Sequence, residues 1–181
     1  SQSVPVAETL TDRSAVLSRA NARLRNILKA IRAMANCDSV ESLAATIMEA
    51  YAADCGVQGG SIYCANGRAL KRLHALDAGH APEEIPLPLP KQTVFALARE
   101  RGAPLHVTNI RDLELQPSGW YGYERDEALV FPLLQSEEEL LAVVALHNKL
   151  HPPFTSQDIE MGGMLAAHAR DALRSLRARN R

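Results

Sequence analysis

The sequence predicts an α+β fold built on a central antiparallel sheet. Three observations predict it. Asn66-Gly67 stands between two strand-like runs and is a strong hairpin signal. Two apolar runs, 127–135 and 140–147, follow one another across an acidic turn at 136–139. Helical patterns lie outside these strands, at both ends of the chain. The 181 residues fit one domain of ordinary size plus some extra helix. A composition of 46% hydrophobic and 23% charged residues is that of a soluble globular protein, not a disordered one.

The elements follow in order. Residues 12–35 read as a long helix. Leu10, Leu17, Leu24 and Ile31 fall seven apart, and with Asn21, Leu28 and Ala35 they fill alternating heptad core positions. Asn21 is the polar residue that would fix register. A seam buried inside one chain competes with a coiled coil here, because three heptads are short. A second helix spans about 39–54. Asp38 or Ser39 caps it, and Val40, Leu43, Ala44, Ile47 and Tyr51 form its apolar face until Gly56 ends it.

Strands 57–65 and 68–75 flank the Asn66-Gly67 turn. Residues 77–90 hold four prolines and predict no regular element. A short helix at 91–101 ends at Gly102 and Pro104. A short strand, 105–107, and a long loop, 109–125, follow. The runs 127–135 and 140–147 are apolar nearly throughout, which predicts a sheet covered on both faces. Thr155, with Asp158 three positions on, opens a closing helix that runs to about residue 179. Its first apolar face is mostly small: Ile159, Gly162, Gly163, Ala166, Ala169 and Leu173. Its second is Met161, Met164, Leu165, His168 and Ala172. A mid-helix Gly costs about 1 kcal/mol against Ala, so a close backbone approach is expected at the Gly pair.

Several classes are excluded. No stretch approaches the roughly 18 to 20 apolar residues of a membrane span. Ser1 to Leu10 lacks the pattern of a signal peptide. Cys37, Cys55 and Cys64 form no C-x-x-C and are an odd number, so they read as reduced thiols in a cytoplasmic protein. The absent initiator Met and the helical ends suggest a piece of a longer chain. Charge is unevenly spread: +4 over 1–35, −9 over 36–169 and +4 over 170–181. The basic ends read as solvated helix faces, with Arg in a last turn complementing the helix dipole. No aromatic residue interleaves with the terminal arginines to stack a nucleic-acid strand. No direct nucleic-acid contact and no membrane contact are expected.

In its last third the sequence resembles the GAF domain family. Leu129-Val130-Phe131-Pro132-Leu133-Leu134 is similar to the family's strand ending in Val-Pro-Leu, with Phe131 where Val is usual. Leu140 to His147 is similar to the return strand, with Ala142 where Gly is usual. Asn148-Lys149, Phe154-Thr155 and Asp158 resemble the family's N-K…F-T-x-x-D segment before the closing helix. The likeness covers roughly 38–175. It implies helices on one face of the sheet, a small-molecule pocket on the other, and a regulatory module within a larger signalling protein.

The N-K…F-T-x-x-D residues have a physical reading of their own. A Lys149–Asp158 ion pair would tie the strand end to the first helical turn. Phe154 would pin the connection into the core, and Asp158 suits a positive helix end. With Asn148 they make a structural clasp. The cyclic-nucleotide-binding branch of the family carries a related motif, but Ile159 stands where that branch has Glu. Cyclic nucleotide is the one cofactor class this motif raises, and the sequence names no ligand. His147 and His151 stand four apart, but Pro152 and Pro153 forbid the continuous helix a metal pair would need, so no metal is expected.

Trp120, Tyr121 and Tyr123 place three of the eight aromatics in one loop. Such residues can cover an apolar ligand while hydrogen-bonding to it, or close a small core of their own. The resemblance implies that this loop lies over the pocket. The expected ligand-binding set is Tyr63, Phe95, Val107, Trp120, Tyr121, Tyr123, Phe131 and Leu133.

No nucleophile elbow, phosphate loop or H-E-x-x-H is present, so no catalytic residue is expected. The family includes an enzyme that reduces free methionine sulfoxide, but its cysteine-bearing loops are not matched. The expected function is a non-catalytic sensory domain. It would bind a small cytoplasmic ligand and relay the signal through dimeric terminal helices to a fused output domain. The dimer seam would hold Leu10, Leu17, Asn21, Leu24, Leu28, Ile31, Met161, Met164, Leu165, His168 and Ala172. The alternative is a dimerisation and interaction module with a collapsed pocket. The expected organisation is a signalling helix at 1–37, the GAF-like domain at 38–178 and a tail at 179–181.

Overall fold

The computed structural model describes residues 6–77, 81–91, 93–110 and 127–180. Among the described residues the elements run in the order α1 (Val6–Ala35), α2 (Val40–Cys55), β1 (Val57–Asn66), β2 (Ala69–Ala75), β3 (Glu84–Pro86), α3 (Val94–Arg101), β4 (Leu105–Val107), β5 (Ala128–Leu134), β6 (Leu140–Lys149) and α4 (Ser156–Arg179). The strands form one antiparallel sheet of order β3-β2-β1-β6-β5-β4. The fold is α+β.

Local chemistry sets the element ends. Ser39 caps α2 by accepting from the Ser42 N–H, and Gly56 closes it with a left-handed backbone. Thr93 caps α3, which starts three residues later than the sequence suggests. Asn66 pairs with Ala69 across the hairpin turn. Thr155 and Asp158 close a reciprocal capping box on α4.

One element corrects the sequence reading. The proline-rich segment 77–90 contains β3, which pairs Leu70 with Ile85 and Ala69 with Pro86. A sheet-edge strand needs hydrogen bonds on one side only, so it tolerates a residue without an N–H.

Helices α1, α2 and α4 cover one face of the sheet. Their core joins Ile27 and Met34 of α1, Leu43, Ile47 and Tyr51 of α2, and Leu165, Ala169 and Leu173 of α4 to Ile62, Phe131, Leu133 and Val144 of the sheet. Tyr51 stacks on Phe131 at 5.3 Å between ring centroids, and its hydroxyl donates to the Gly162 carbonyl at 2.7 Å. A Cβ on Gly162 would stand 2.4 Å from the Phe131 ring, so helix and strand approach there as only Gly allows. Gly163 faces open space. The close approach expected of the Gly pair belongs to Gly162 alone.

On α1 the inward face carries Arg23, Ile27, Ala30 and Met34. The heptad leucines point away: Leu10, Leu17, Leu24 and Leu28 are 58%, 64%, 36% and 53% exposed. Two residues expected in a dimer seam lie elsewhere. Leu165 is fully buried in the chain's own core, and Ile31 packs against that core. Met161 and Ala172 are also half-buried against it, while Asn21, Met164 and His168 are exposed. The cause is geometric: α4 touches α1, α2 and the sheet, so one apolar stripe cannot serve them all.

Candidate functional site

The sheet face opposite α1, α2 and α4 has an apolar end and a polar end. At the apolar end Tyr63, Leu70, Val130, Val143 and Ala145 pack with Val94 and Ala98 of α3. Phe95 meets Tyr63 edge-on at 5.7 Å. The Tyr63 hydroxyl donates to the Pro82 carbonyl at 2.6 Å, holding the segment before β3 over this face. Burial pushes the Tyr63 phenol up to about 12, so it stays a neutral donor at ordinary pH. Val107 lies on the same face, paired with Ala128 and packed with Ile110.

The polar end is built by strand register. Ser61 pairs with Ala145 and Gly59 with His147, which places Ser61 and His147 on the far face beside Tyr63. Both are buried. His147 Nε2 lies 3.5 Å from Asp77 Oδ2, and Asp77 Oδ1 accepts from the Gly60 N–H at 3.2 Å. The imidazole lies directly over Gly59, where a Cβ would stand 2.3 Å from the ring. A carboxylate and an imidazole therefore meet at the edge of an apolar surface, with Ser61 on the same sheet face; a few polar groups beside an apolar surface are what orients a small ligand.

The expected pocket residues divide. Tyr63 and Phe95 come together, with Val107 nearby on the same face. Trp120, Tyr121 and Tyr123 lie outside the described residues. Phe131 and Leu133 lie on the helix-covered face, which corrects their assignment to the pocket. Phe131 pairs with Val144 and Leu133 with Ala142, and all four belong to the helix-side core. Val130 occupies the far face instead. A one-residue shift in phase exchanges faces, and a strand apolar on both sides gives no signal to fix the phase.

The strand-to-helix junction is held by charge. Lys149 Nζ pairs with Asp158 and donates to the Pro153 carbonyl at 3.2 Å, 5.4 Å from the Phe154 ring centroid. Phe154 is buried in the helix-side core, and Asn148 turns the chain with a left-handed backbone at φ 55°. Arg23 completes the junction from α1. Its Nε donates to Asp54 Oδ1 at 2.7 Å, and its Nη2 donates to Asp54 Oδ2 at 3.0 Å and Asp158 Oδ1 at 2.7 Å. Burial alone would raise the Asp158 carboxyl. Hydrogen bonds from Lys149, the Thr155 N–H and Arg23 outweigh it and hold the carboxyl below its ordinary value. The hydrogen bond to Asp54 drives the Arg23 guanidinium further up, against the opposing effect of burial. The network Arg23–Asp54–Asp158–Lys149 thus joins α1, α2 and α4 to β6.

Glu127, the residue before β5, reaches the same junction. Its Oε2 lies 2.8 Å from His106 Nε2 and accepts from the Phe154 N–H at 2.8 Å. Arg23, Asp54, Glu127, His106, Ser61 and Asp77 are site residues that match no sequence motif. Only Arg23 carried a signal: it stands four before Ile27 and eleven before Met34, a charge on a buried stripe.

Among the described residues no group of three or more His, Cys, Asp or Glu is placed to hold a metal, and no helix is long and apolar enough to cross a membrane. Burial pushes the Cys55 and Cys64 thiols up, away from the thiolate form.

Three solved structures share this architecture. The GAF domain of an Acinetobacter phosphoenolpyruvate-protein phosphotransferase has a TM-score of 0.71 at 16% identity, over 87% of this chain and 96% of that one. Free methionine-R-sulfoxide reductase from Neisseria meningitidis, solved with its substrate, has a TM-score of 0.70 at 15% identity, over 88% and 93%. The GAF domain of a putative sensor histidine kinase from Pseudomonas syringae pv. tomato has a TM-score of 0.64 at 15% identity, over 93% and 96%. At such identities the likeness is one of fold. A search of curated sequences finds no match. The GAF domain model matches residues 37–174, and with the sheet order, the three-helix face and the Lys149–Asp158 junction already in view, the chain belongs to the GAF domain family.

Proposed function

We propose that this GAF domain is a non-catalytic sensor within a signalling protein. It binds a small cytoplasmic molecule on the sheet face opposite α1, α2 and α4, and passes the signal through the terminal helices of a homodimer to a fused output domain. The observation that carries this reading is the Arg23–Asp54–Asp158–Lys149 network. It fastens the helix that would lead to a partner copy onto the sheet that would hold the ligand. Ligand binding works by differential affinity, favouring one arrangement of the helices over another.

In this reading Ser61, Asp77 and His147 hydrogen-bond the polar part of the ligand. Tyr63, Phe95 and Val107 hold its apolar part, with Trp120, Tyr121 and Tyr123 as the covering loop. Leu10, Leu17, Leu24 and Leu28 form the dimer seam, because four exposed leucines on one helix favour burial against a partner. Native mass spectrometry of the purified chain tests the ligand: a bound small molecule that is lost in His147→Ala supports the proposal. A chain that carries and takes up no small molecule from a metabolite mixture overturns it.

A second reading is favoured by one observation. Tyr63 is already satisfied by Pro82 and packed by Phe95, so side chains fill part of the far face. The domain would then act as a dimerisation module with a collapsed pocket. It predicts the same dimer with no ligand.

A further inference from the structure

At the end of the sheet formed by the β1–β2 and β5–β6 turns lies an open groove of about 690 Å³. None of Tyr63, Phe95, Val107 or His147 lines it, so it is separate from the pocket proposed above. Four arginines from three regions line it: Arg68 from the hairpin turn, Arg99 from α3, and Arg174 and Arg177 from α4. Among the described residues its lining acids are Glu138 and Glu139, so the described lining carries an excess of two positive charges.

Among the described residues none of the four takes part in a salt bridge. The partners of Arg99, Arg174 and Arg177 among the described residues are neutral. Arg99 Nη2 donates to the Glu138 carbonyl at 2.8 Å. Arg174 Nη2 donates to the carbonyls of Leu134 and Gln135, and its Nε is buried without an acceptor among the described residues. Arg177 Nη1 lies 3.4 Å from Cys64 Sγ. Arg23, by contrast, holds two carboxylates elsewhere in the same molecule.

The bland explanation is that Arg near a helix C-terminus complements the dipole. That accounts for Arg99 and Arg177 in part, since a helix end carries only about half a unit charge. It does not account for Arg68, which lies on a turn, nor for convergence on one groove. Residues 36–169 carry a balance of −9, so carboxylates to pair with are abundant.

We infer that this groove binds a phosphorylated small molecule. The phosphate engages the arginines, and the apolar part lies against Leu87, Leu89 and Leu140. The guanidinium fork matches phosphate oxygens, and several converging arginines offer more donors than one carboxylate can accept. The volume is that of small-molecule sites, about 300 to 1,000 Å³. Among the described residues no aromatic side chain lines the groove, so none of them offers a platform for stacking a nucleic-acid base.

The test uses the whole chain at fixed ionic strength, followed by NMR at the backbone amides of 64–70 and 134–141. Phenyl phosphate, inorganic phosphate and phenol are titrated in parallel. Phenyl phosphate is expected to saturate these shifts, inorganic phosphate to perturb the same residues more weakly, and phenol to leave them unmoved. Arg68→Glu with Arg99→Glu is expected to weaken phenyl phosphate by about tenfold or more. Both side chains are exposed, so the fold survives, and Arg68→Glu alone serves if the double variant does not fold. Three results overturn the inference. They are no saturation by roughly 10 mM phenyl phosphate, an unchanged affinity in the variant, and equal shifts from phenol.

Discussion

Arg23 Nη2 on α1 and Asp158 Oδ1 on α4 lie 2.7 Å apart across 135 residues of sequence. The same guanidinium grips Asp54 on α2 with two further hydrogen bonds. One side chain therefore fixes three helices relative to one another, and Lys149 extends the hold to β6. The carboxylates are almost fully covered, so their charges depend on these partners rather than on water.

Replacing Arg23 by Ala leaves Asp54 buried without its cation. Breaking such a pair costs about 3 to 5 kcal/mol when both partners are buried. Arg23 is itself one-fifth exposed, so a loss near the lower end, about 3 kcal/mol, is expected in urea denaturation. Adding Asp54→Leu to Arg23→Met is expected to recover part of that loss, because the orphaned charge is then gone. A double variant no more stable than Arg23→Met would contradict this view of the network.

Acid should act through Asp158. Its folded carboxyl titrates below the ordinary value of 3.8. Its stabilising contribution is therefore complete above that value and is lost as pH falls below it, toward the folded value. Asp158→Asn is expected to be less stable than the parent at pH 7, and the difference is expected to shrink as pH falls below about 4. Chemical denaturation at several pH values checks this. A difference that grows on acidification would show the wrong sign.

The Gly pair in α4 separates propensity from packing. Ala is favoured over Gly in a helix by about 1 kcal/mol. At Gly163, with open space around it, Gly163→Ala is expected to stabilise by up to that amount. At Gly162 the new methyl meets the Phe131 ring, which is buried and stacked on Tyr51 and has nowhere to go. Gly162→Ala is expected to destabilise by about 1 to 3 kcal/mol, the usual cost of overpacking. Thermal melts of the two variants should shift in opposite directions.

What sequence could and could not show follows from the range of each signal. The β1–β2 hairpin was legible because Asn66-Gly67 is a two-residue signal. The α4 start was legible because Thr155 and Asp158 stand three apart. The edge strand β3 was not, since a three-residue strand containing Pro86 carries no pattern. The far-face site was half-legible. Tyr63, Phe95 and Val107 carry an apolar or aromatic signal of their own. Ser61, Asp77 and His147 are brought together only by sheet register. The faces of Phe131 and Leu133 could not be read, because β5 is apolar on both sides. The Arg23–Asp158 bond spans 135 residues, and no local pattern reports such a distance.

In the proposed dimer the terminal helices join two copies of this chain. Sedimentation of the full chain at micromolar concentration tests it most directly. Each well-buried Leu contributes roughly 1.5 to 3 kcal/mol, while repulsion between basic helix ends is screened within about 10 Å at 0.1 M salt. A dimer at ordinary salt that weakens at low salt is expected. Leu17→Glu with Leu24→Glu is expected to give a folded monomer, since both side chains are exposed within one chain. A parent chain that sediments as a monomer at both low and high salt would contradict the proposed dimer.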